Sequence, residues 1–292
     1  MPIEIVKDLR KTASLSIIIR CKNELPNISR LVKSIKSQTY TDYDIIFIDS
    51  GSIDGIVKYL KKIPYSIFTM PPEDYNHGTS CDQGAGLVDS PYIMFLSAHT
   101  YLVHKQMIEN AIGYISKNPK IAGIYFRQVP NKFTGCSCLE QAYLRYRFPK
   151  GDECSIRNGN YISRISFSNA ASIVRRSVWE EVPFGYCLGS EDRIWADKVI
   201  GLGYSIAYAP QFWVEHSHEE TSSMVENRVF INLMAWNQYV GCKNITEWPL
   251  LYAMKKLILM IVFGQLNDWR NMWNFTMASY RGAKRAWESS KG

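Results

Sequence analysis

The sequence predicts an α/β protein, with a mostly parallel sheet flanked by helices and a helical C-terminal extension. Three observations carry this expectation. Leu15 to Arg20, Asp44 to Ile48 and Tyr92 to Leu96 are apolar runs of strand length, as in strands buried on both faces. Segments with apolar residues at helical spacing lie between such runs, and strand–helix alternation implies crossover connections. From Met224 onward the pattern is helical, through Met224 to Tyr239 and Pro249 to Trp287.

The elements follow in order. After the first strand, Pro26 suits the first turn of a helix, with Ile28, Leu31, Val32 and Ile35 as its apolar stripe. Asp54 opens a turn or short helix through Val57, Leu60 and Lys61. Tyr65 to Thr69 is a strand stopped by Pro71-Pro72. Ser80 to Val88 reads as helix, His104 to Lys117 as an amphipathic helix and Ile121 to Arg127 as a strand. Lys132 to Ser163 is polar and glycine-containing, a loop around a short helix. Ser166 to Val174 reads as a strand, and Ser177 can cap the helix that follows. Glu191 and Asp192 open another helix, in which Ile194, Trp195, Lys198, Val199 and Leu202 recur at helical spacing. Strands Tyr204 to Tyr208 and Phe212 to Val214 complete the pattern. Residues 1–220 are thus expected to form the α/β domain and residues 221–292 the helical extension.

Composition narrows the function. The chain has 292 residues, 46% of them apolar, and a net charge of +7. That charge admits an anionic partner: nucleotide phosphate, nucleic acid or an anionic membrane surface. Zinc-finger spacing, an RNP-type aromatic motif and a long basic run are all missing, which argues against nucleic acid. Seven Cys without a CxxC pair fit reduced thiols in the cytoplasm. Met1 to Lys11 is charged and carries no apolar signal core. The densest apolar run, Leu257 to Phe263, is far shorter than the roughly 20 residues of a spanning helix. A buried core helix and a helix lying in the membrane interface are both open. Trp248, Trp269, Trp273, Trp287 and the nearby Lys and Arg favour the second, and a dimer interface is a third use for the same residues.

Ligand sites in open parallel sheets lie beyond the carboxyl ends of the strands. Three polar strand ends are candidates: Arg20 to Glu24, Asp49 to Asp54, and Ser97 to Thr100. The order Arg20-Cys21-Lys22-Asn23-Glu24, then Asp49-Ser50-Gly51-Ser52-Ile53-Asp54, resembles the family-2 glycosyltransferases. Four further pieces resemble the bacterial rhamnosyltransferase-like group within them: Tyr75-Asn76-His77-Gly78, Phe126-Arg127-Gln128-Val129-Pro130, Ser190-Glu191-Asp192-Arg193-Ile194-Trp195-Ala196, and Val214-Glu215-His216-Ser217-His218. The resemblance covers roughly residues 14 to 230 and rests on six short pieces in the right order.

The resemblance implies a GT-A fold and inverting transfer of a sugar from a nucleotide-diphosphate sugar to a saccharide or polyprenyl-linked acceptor. Bacterial O-antigen or capsule synthesis is the implied setting, at the inner face of the cell membrane. Asp192 would deprotonate the acceptor hydroxyl, a poor nucleophile until its proton is taken. Glu191 would orient Asp192 or bind the acceptor. Asp49 would contact the donor base or ribose, Asp54 would support that loop, and Glu24 would shape the nucleotide pocket. Arg20, Asn23, Ser50, Gly51, Ser52, His77, Ser97 and His99 complete the expected donor site. Arg127, Gln128 and Trp195 are the acceptor candidates, although a solvated strand end explains Arg127-Gln128 and core packing explains Trp195.

The sequence departs from the family in two places. The usual Asp-x-Asp appears as Ser97-Ala98-His99. His99 as a ligand for Mg or Mn, His99 as a direct phosphate contact, and a metal-free enzyme all remain open. His216 and His218 point the same way if the last strand continues, and could join His99 in one cluster. Cys81-Asp82 stands where the related group often carries Arg-Asn, which puts a rhamnose donor in doubt. Two rival functions remain: a non-catalytic GT-A-like module that binds nucleotide-sugar or glycan, and a nucleotidyltransferase. The Gly-free Arg20 to Glu24 loop argues against the latter.

Overall fold

The computed structural model describes residues 3–158, 167–241, 248–264 and 269–290. The chain forms two units. The first comprises residues 1–127, 151–186 and 191–216; the second comprises 128–150, 187–190 and 217–292.

The first unit is built on a ten-stranded mixed sheet. Its centre is parallel: β2 (Leu15–Cys21) lies between β3 (Tyr43–Asp49) and β5 (Tyr92–Ser97), and β4 (Ser66–Thr69) pairs parallel with β3. The crossovers run through α1 (Leu25–Lys36), α2 (Ile56–Leu60) and α3 (His77–Gly86). Antiparallel strands extend both sides. β1 (Glu4–Lys7) pairs with β4. Beyond β5 come β9 (Ala171–Arg175), β7 (Ile121–Val129), β10 (Ser205–Glu215) and β6 (Tyr101–Leu102), with β8 (Ser155–Arg157) also on β10. Ile17, Ile19, Ile45, Phe47, Met94 and Leu96 are fully buried beneath Ile28, Leu31 and Ile35 of α1. α4 (Met107–Lys117), α6 (Arg176–Glu181) and α7 (Glu191–Gly201) complete this unit.

The helices of the second unit are α5 (Cys138–Arg147), α8 (Ser222–Val240), α9 (Pro249–Phe263) and α10 (Trp269–Ser289). Ser137 caps α5 by accepting from the Glu140 N–H, and Thr221 caps α8 by accepting from the Met224 N–H. Their core joins Leu139, Val225, Val229, Met260, Met272, Phe275 and Ala278. Glu220 grips Arg228 with both oxygens at 2.6 Å, and burial pushes the carboxyl of Glu140 up to about 7 despite Arg228 pulling the other way.

Several boundaries differ from expectation for local reasons. α3 starts at His77 instead of Ser80, because the Asn76 side chain accepts from the Gly78 and Thr79 N–H groups. Ser177 does not cap α6: β9 runs straight into that helix, whose first residue is Arg176. α4 begins at Met107, three residues later than His104. Tyr204 to Tyr208 and Phe212 to Val214 are one strand, β10. Pro210 fits because it falls between the residues paired with β8 and those paired with β6, where the ladder is interrupted. β9 starts at Ala171, since Asn169 turns the chain by accepting from the Ser172 hydroxyl. The helical stretch Pro249 to Trp287 is two helices, α9 ending at Phe263 with Gly264 as its cap, and residues 265–268 lie outside the described residues. So do 159–166, the end of the Lys132 to Ser163 segment and the start of the Ser166 strand.

Helix α3 lies tight on the parallel strands. A Cβ at Gly84 would come within 2.6 Å of Ile18 Cγ2 and 2.7 Å of Ile48 Cδ1, both in fully packed strands. Gly84→Ala gains about 1 kcal/mol of helix propensity at most, whereas overpacking costs about 1–3 kcal/mol. The variant should therefore unfold at lower denaturant concentration than the wild type, measured by urea titration.

Candidate active site

Parallel register fixes the site first. Arg20 pairs with Ser97 and Ile48, and Cys21 pairs with Asp49, so the polar ends of β2, β3 and β5 emerge side by side. This is the carboxyl edge where an open parallel sheet binds ligands.

The loops beyond these ends are held by their own side chains. Asp49 Oδ2 accepts from the N–H groups of Gly51 and Ser52, at 3.1 and 3.0 Å. Gly51 has φ +79°, and a Cβ there would strike Pro72. Ser50 is buried and donates its N–H to the Cys21 carbonyl. Asn23, a non-glycine at φ +55°, donates its N–H to Ser52 Oγ and accepts from the Ile53 N–H. Positive φ at such residues is uncommon. Asp54 accepts from the N–H groups of Leu25 and Ile56, which ties this loop to the start of α1.

Glu24 ends the β2–α1 turn. One of its oxygens meets His99 Nδ1 at 2.8 Å, and the other accepts from Asn27. His99 follows Ser97, whose N–H bonds the Ala170 carbonyl. The His99 ring stacks on that of His216, which is buried just beyond the end of β10, with centroids 4.7 Å apart and planes at 18°. Their ring nitrogens lie within 4.8 Å. His218 is exposed and follows two residues along the chain. A carboxylate bonded to an imidazole is the arrangement that orients metal-bound histidines, and a set of imidazoles suits Mn better than Mg.

The second half of the site gathers around the first turn of α7. Asp192 is half-buried and accepts from the backbone N–H groups of Asn169 (3.1 Å) and Arg193 (2.7 Å). Burial, reinforced by the neighbouring Glu191, pushes its carboxyl up to about 7, against the pull of those N–H donors and Arg20. Arg20 reaches Glu191 at 3.7 Å and donates to the His77 carbonyl at 3.0 Å. Burial works against the charge of Arg20, but Cys81, Tyr75, Glu191 and Asp192 outweigh it, so the guanidinium stays charged. Its Nε is buried without a hydrogen-bond partner among the described residues. Burial and Arg20 lower the pKa of His77 against the opposing pull of Glu191, which favours the neutral ring. Tyr75 OH meets His77 Nδ1 at 3.0 Å.

The structure thus brings Arg20, His77, Glu191 and Asp192 into one cluster. It adds Tyr75, Cys81 and Asn169, which were not among the expected site residues. Cys81 is in contact through the Asn169 amide, 3.7 Å from its sulfur. The sequence signal for Asn169 is weak: a polar Ser168-Asn169 step ahead of an apolar strand. Asp82, at one of the departures from the family pattern, accepts from Trp179 Nε1 and from the N–H groups of Phe184 and Gly185, so it is a staple for that loop. Trp195 corrects the acceptor expectation. It is fully buried, donates to the Val182 carbonyl and packs against Phe167 and Phe184, with no face left for a ligand. Arg127 lies over the Trp213 ring at 5.8 Å, and Gln128 is buried.

Comparison with known proteins fits this arrangement. Residues 16–173 match the family model described as Glycosyl transferase family 2. The O-antigen chain rhamnosyltransferase RfbN of Salmonella typhimurium is 31% identical over 216 residues, covering 70% of this chain and 66% of the relative. WbaN of Salmonella anatum, also an O-antigen chain rhamnosyltransferase, is 25% identical over 205 residues, covering 68% and 64%. The chain therefore matches just under two thirds of each relative's length. The mannosyltransferase PcManGT of Pyrobaculum calidifontis, solved with GDP-Man and Mn2+, superposes with a TM-score of 0.59 at 12% identity, covering 98% of this chain and 90% of that one. Staphylococcus aureus TarS, solved with UDP-GlcNAc, gives 0.57 at 11% identity, covering 93% and 91%. The fold is that of the GT-A glycosyltransferases. The chain belongs to glycosyl transferase family 2.

The raised pKa of Asp192 has a consequence for stability. Its folded pKa lies near 7, above the ordinary 3.8. Its contribution to stability is therefore complete below about pH 4 and is lost as pH rises through 7. Asp192→Asn should raise the melting temperature relative to wild type, and by more at pH 8 than at pH 5, in thermal unfolding at both values. An equal difference at the two pH values contradicts the assignment.

Proposed function

We propose that this protein is an inverting glycosyltransferase that moves a sugar from a nucleoside-diphosphate sugar to a saccharide or polyprenyl-linked acceptor. The observation that carries the reading is the half-buried Asp192, held by two N–H donors beside Glu191 and Arg20, with a pKa in the neutral range. A general base works best when its pKa lies near the working pH.

In this reading Asp192 takes the proton of the acceptor hydroxyl as that oxygen bonds to the anomeric carbon. The bond from that carbon to the diphosphate oxygen breaks on the opposite face, and its electron pair leaves with the nucleoside diphosphate. Glu191 and Arg20 hold the Asp192 environment in place. Asp49 meets the nucleoside, with Ser50, Gly51 and Ser52 lining its loop and Asp54 bracing it. Glu24 orients His99 toward the diphosphate. His99 and His216 are residues that would hold a divalent ion such as Mn, which would supply positive charge against the leaving diphosphate. Residues 1–220 would carry donor binding and catalysis. The named activity of the Salmonella relatives supports surface polysaccharide assembly as the setting, which would place the protein at the inner face of the cell membrane.

One observation favours a second reading. Ser97-Ala98-His99 replaces the acidic pair expected in the family, as it would in a module that binds nucleotide-sugar without turning it over.

Two measurements test the proposal. UDP, dTDP, GDP and CMP, each with and without Mn, are screened for a rise in melting temperature. One nucleotide at a hundredfold excess over its dissociation constant should add about 2.7 kcal/mol of stability. Asp192→Asn should keep that shift while transfer from the matching nucleotide-sugar falls by roughly 10²–10⁴. Binding without measurable transfer by the wild type, to any acceptor offered, would favour the binding module. A shift with no nucleotide would refute both.

A further inference from the structure

Helix α9 is apolar nearly all round. Its inner side, with Ala253 and Met260, belongs to the core of the helical unit. Its outer side carries Leu250, Leu251, Met254, Ile258, Ile261 and Val262, each between 42% and 64% exposed. These positions fall on one face at helical spacing, and Lys255 lies at its edge. An exposed apolar face of this extent marks an interaction surface.

What surrounds the face identifies the partner. Trp248 stands at the N-cap of α9, and Trp269 and Trp273 lie on the first turns of α10; all three are 60% exposed or more. Indole rings favour the boundary between hydrocarbon and water. Basic residues adjoin them: Lys255, Lys256 and Arg270. The helical unit as a whole carries 13 Lys and Arg against 7 Asp and Glu, so +6 of the chain's net +7 resides there. A protein partner would be served by the apolar face alone; the excess positive charge is complementary to an anionic lipid surface.

The geometry excludes spanning. α9 has 15 residues, about 22 Å of helix, against a hydrocarbon core of about 30 Å. No helix among the described residues is long and apolar enough to cross a membrane. We infer that the exposed face of α9, flanked by Trp248, Trp269 and Trp273, lies flat in the interface of an anionic bilayer. The inference rests on this face and its charge and is independent of the chemistry assigned to Asp192.

The test is flotation of the full chain with vesicles of phosphatidylcholine mixed with phosphatidylglycerol, and with phosphatidylcholine alone. The protein should float with the anionic vesicles, less with the neutral ones, and less again at high salt. The double variant Ile258→Glu with Val262→Glu should lower the vesicle-bound fraction roughly tenfold, because two apolar side chains are replaced by charges the interface repels. Both positions are solvent-exposed, so circular dichroism and the melting temperature of the variant should match wild type. Three results would overturn the inference: no flotation with anionic vesicles, flotation equal for wild type and variant, or a lipid-free dimer that the variant converts to monomer. The last outcome would make the face a contact between two copies. Nucleotide binding, read separately by thermal shift, distinguishes a failure here from a failure of the transferase reading.

Discussion

Two carboxylates on consecutive residues at the start of one helix, Glu191 buried and Asp192 half-buried, are the constraint around which the site is organised. Holding both so close together and largely away from water is unfavourable unless something else stabilises the charge. The first turn of α7 contributes part of it, because the free N–H groups of a helix start favour anions. The Asn169 and Arg193 N–H groups contribute more directly, and the Arg20 guanidinium supplies a full positive charge. Even so, the balance leaves Asp192 poised near neutral pH. A base of that strength can accept a proton from a hydroxyl and release it to solvent in each cycle. In the proposed mechanism, that residual instability is what suits Asp192 to act as the base.

The sheet supplies the rigidity that such an arrangement requires. Parallel pairing of β2 with β3 and β5 brings Arg20, Asp49 and Ser97 to a common edge. The intervening loops are then stapled by short polar side chains instead of by burial. Asp49, Asn23, Ser52 and Asp54 each satisfy backbone donors in a neighbouring turn. Such Asx-type bonds let a loop hold one conformation while remaining polar enough to meet a nucleotide. Glu24 links these loops to His99, and Arg20 links them to Glu191. A single strand, β2, therefore positions residues in both halves of the site.

Much of this was legible in the sequence because it depends on local pattern. Buried strands announce themselves as apolar runs, and the Glu191-Asp192 step stands out as an acidic start to a helical pattern. The Glu24 and His99 positions follow from the ends of predicted strands. What was not legible depends on contacts far apart in the chain. Asn169 bonds Asp192 across 23 residues, and the tie between Arg20 and His77 spans 57. Trp195 was ambiguous in sequence, since an aromatic three residues after a candidate base suits either stacking or packing; only its complete burial decides the matter. β6 is two residues long and has no periodicity to read, and Pro210 masked the continuity of β10 because a proline normally argues against an unbroken strand.

Stereochemistry gives the most direct test of the central claim, that Asp192 acts as a base on the acceptor while the diphosphate leaves from the far side of the sugar. Once the donor is identified, the anomeric configuration of the new linkage can be read by proton NMR and compared with that of the donor. Direct displacement assisted by Asp192 predicts inversion at the anomeric carbon. Retention of configuration would mean that the sugar does not pass to the acceptor in one displacement, and would contradict the role assigned to Asp192.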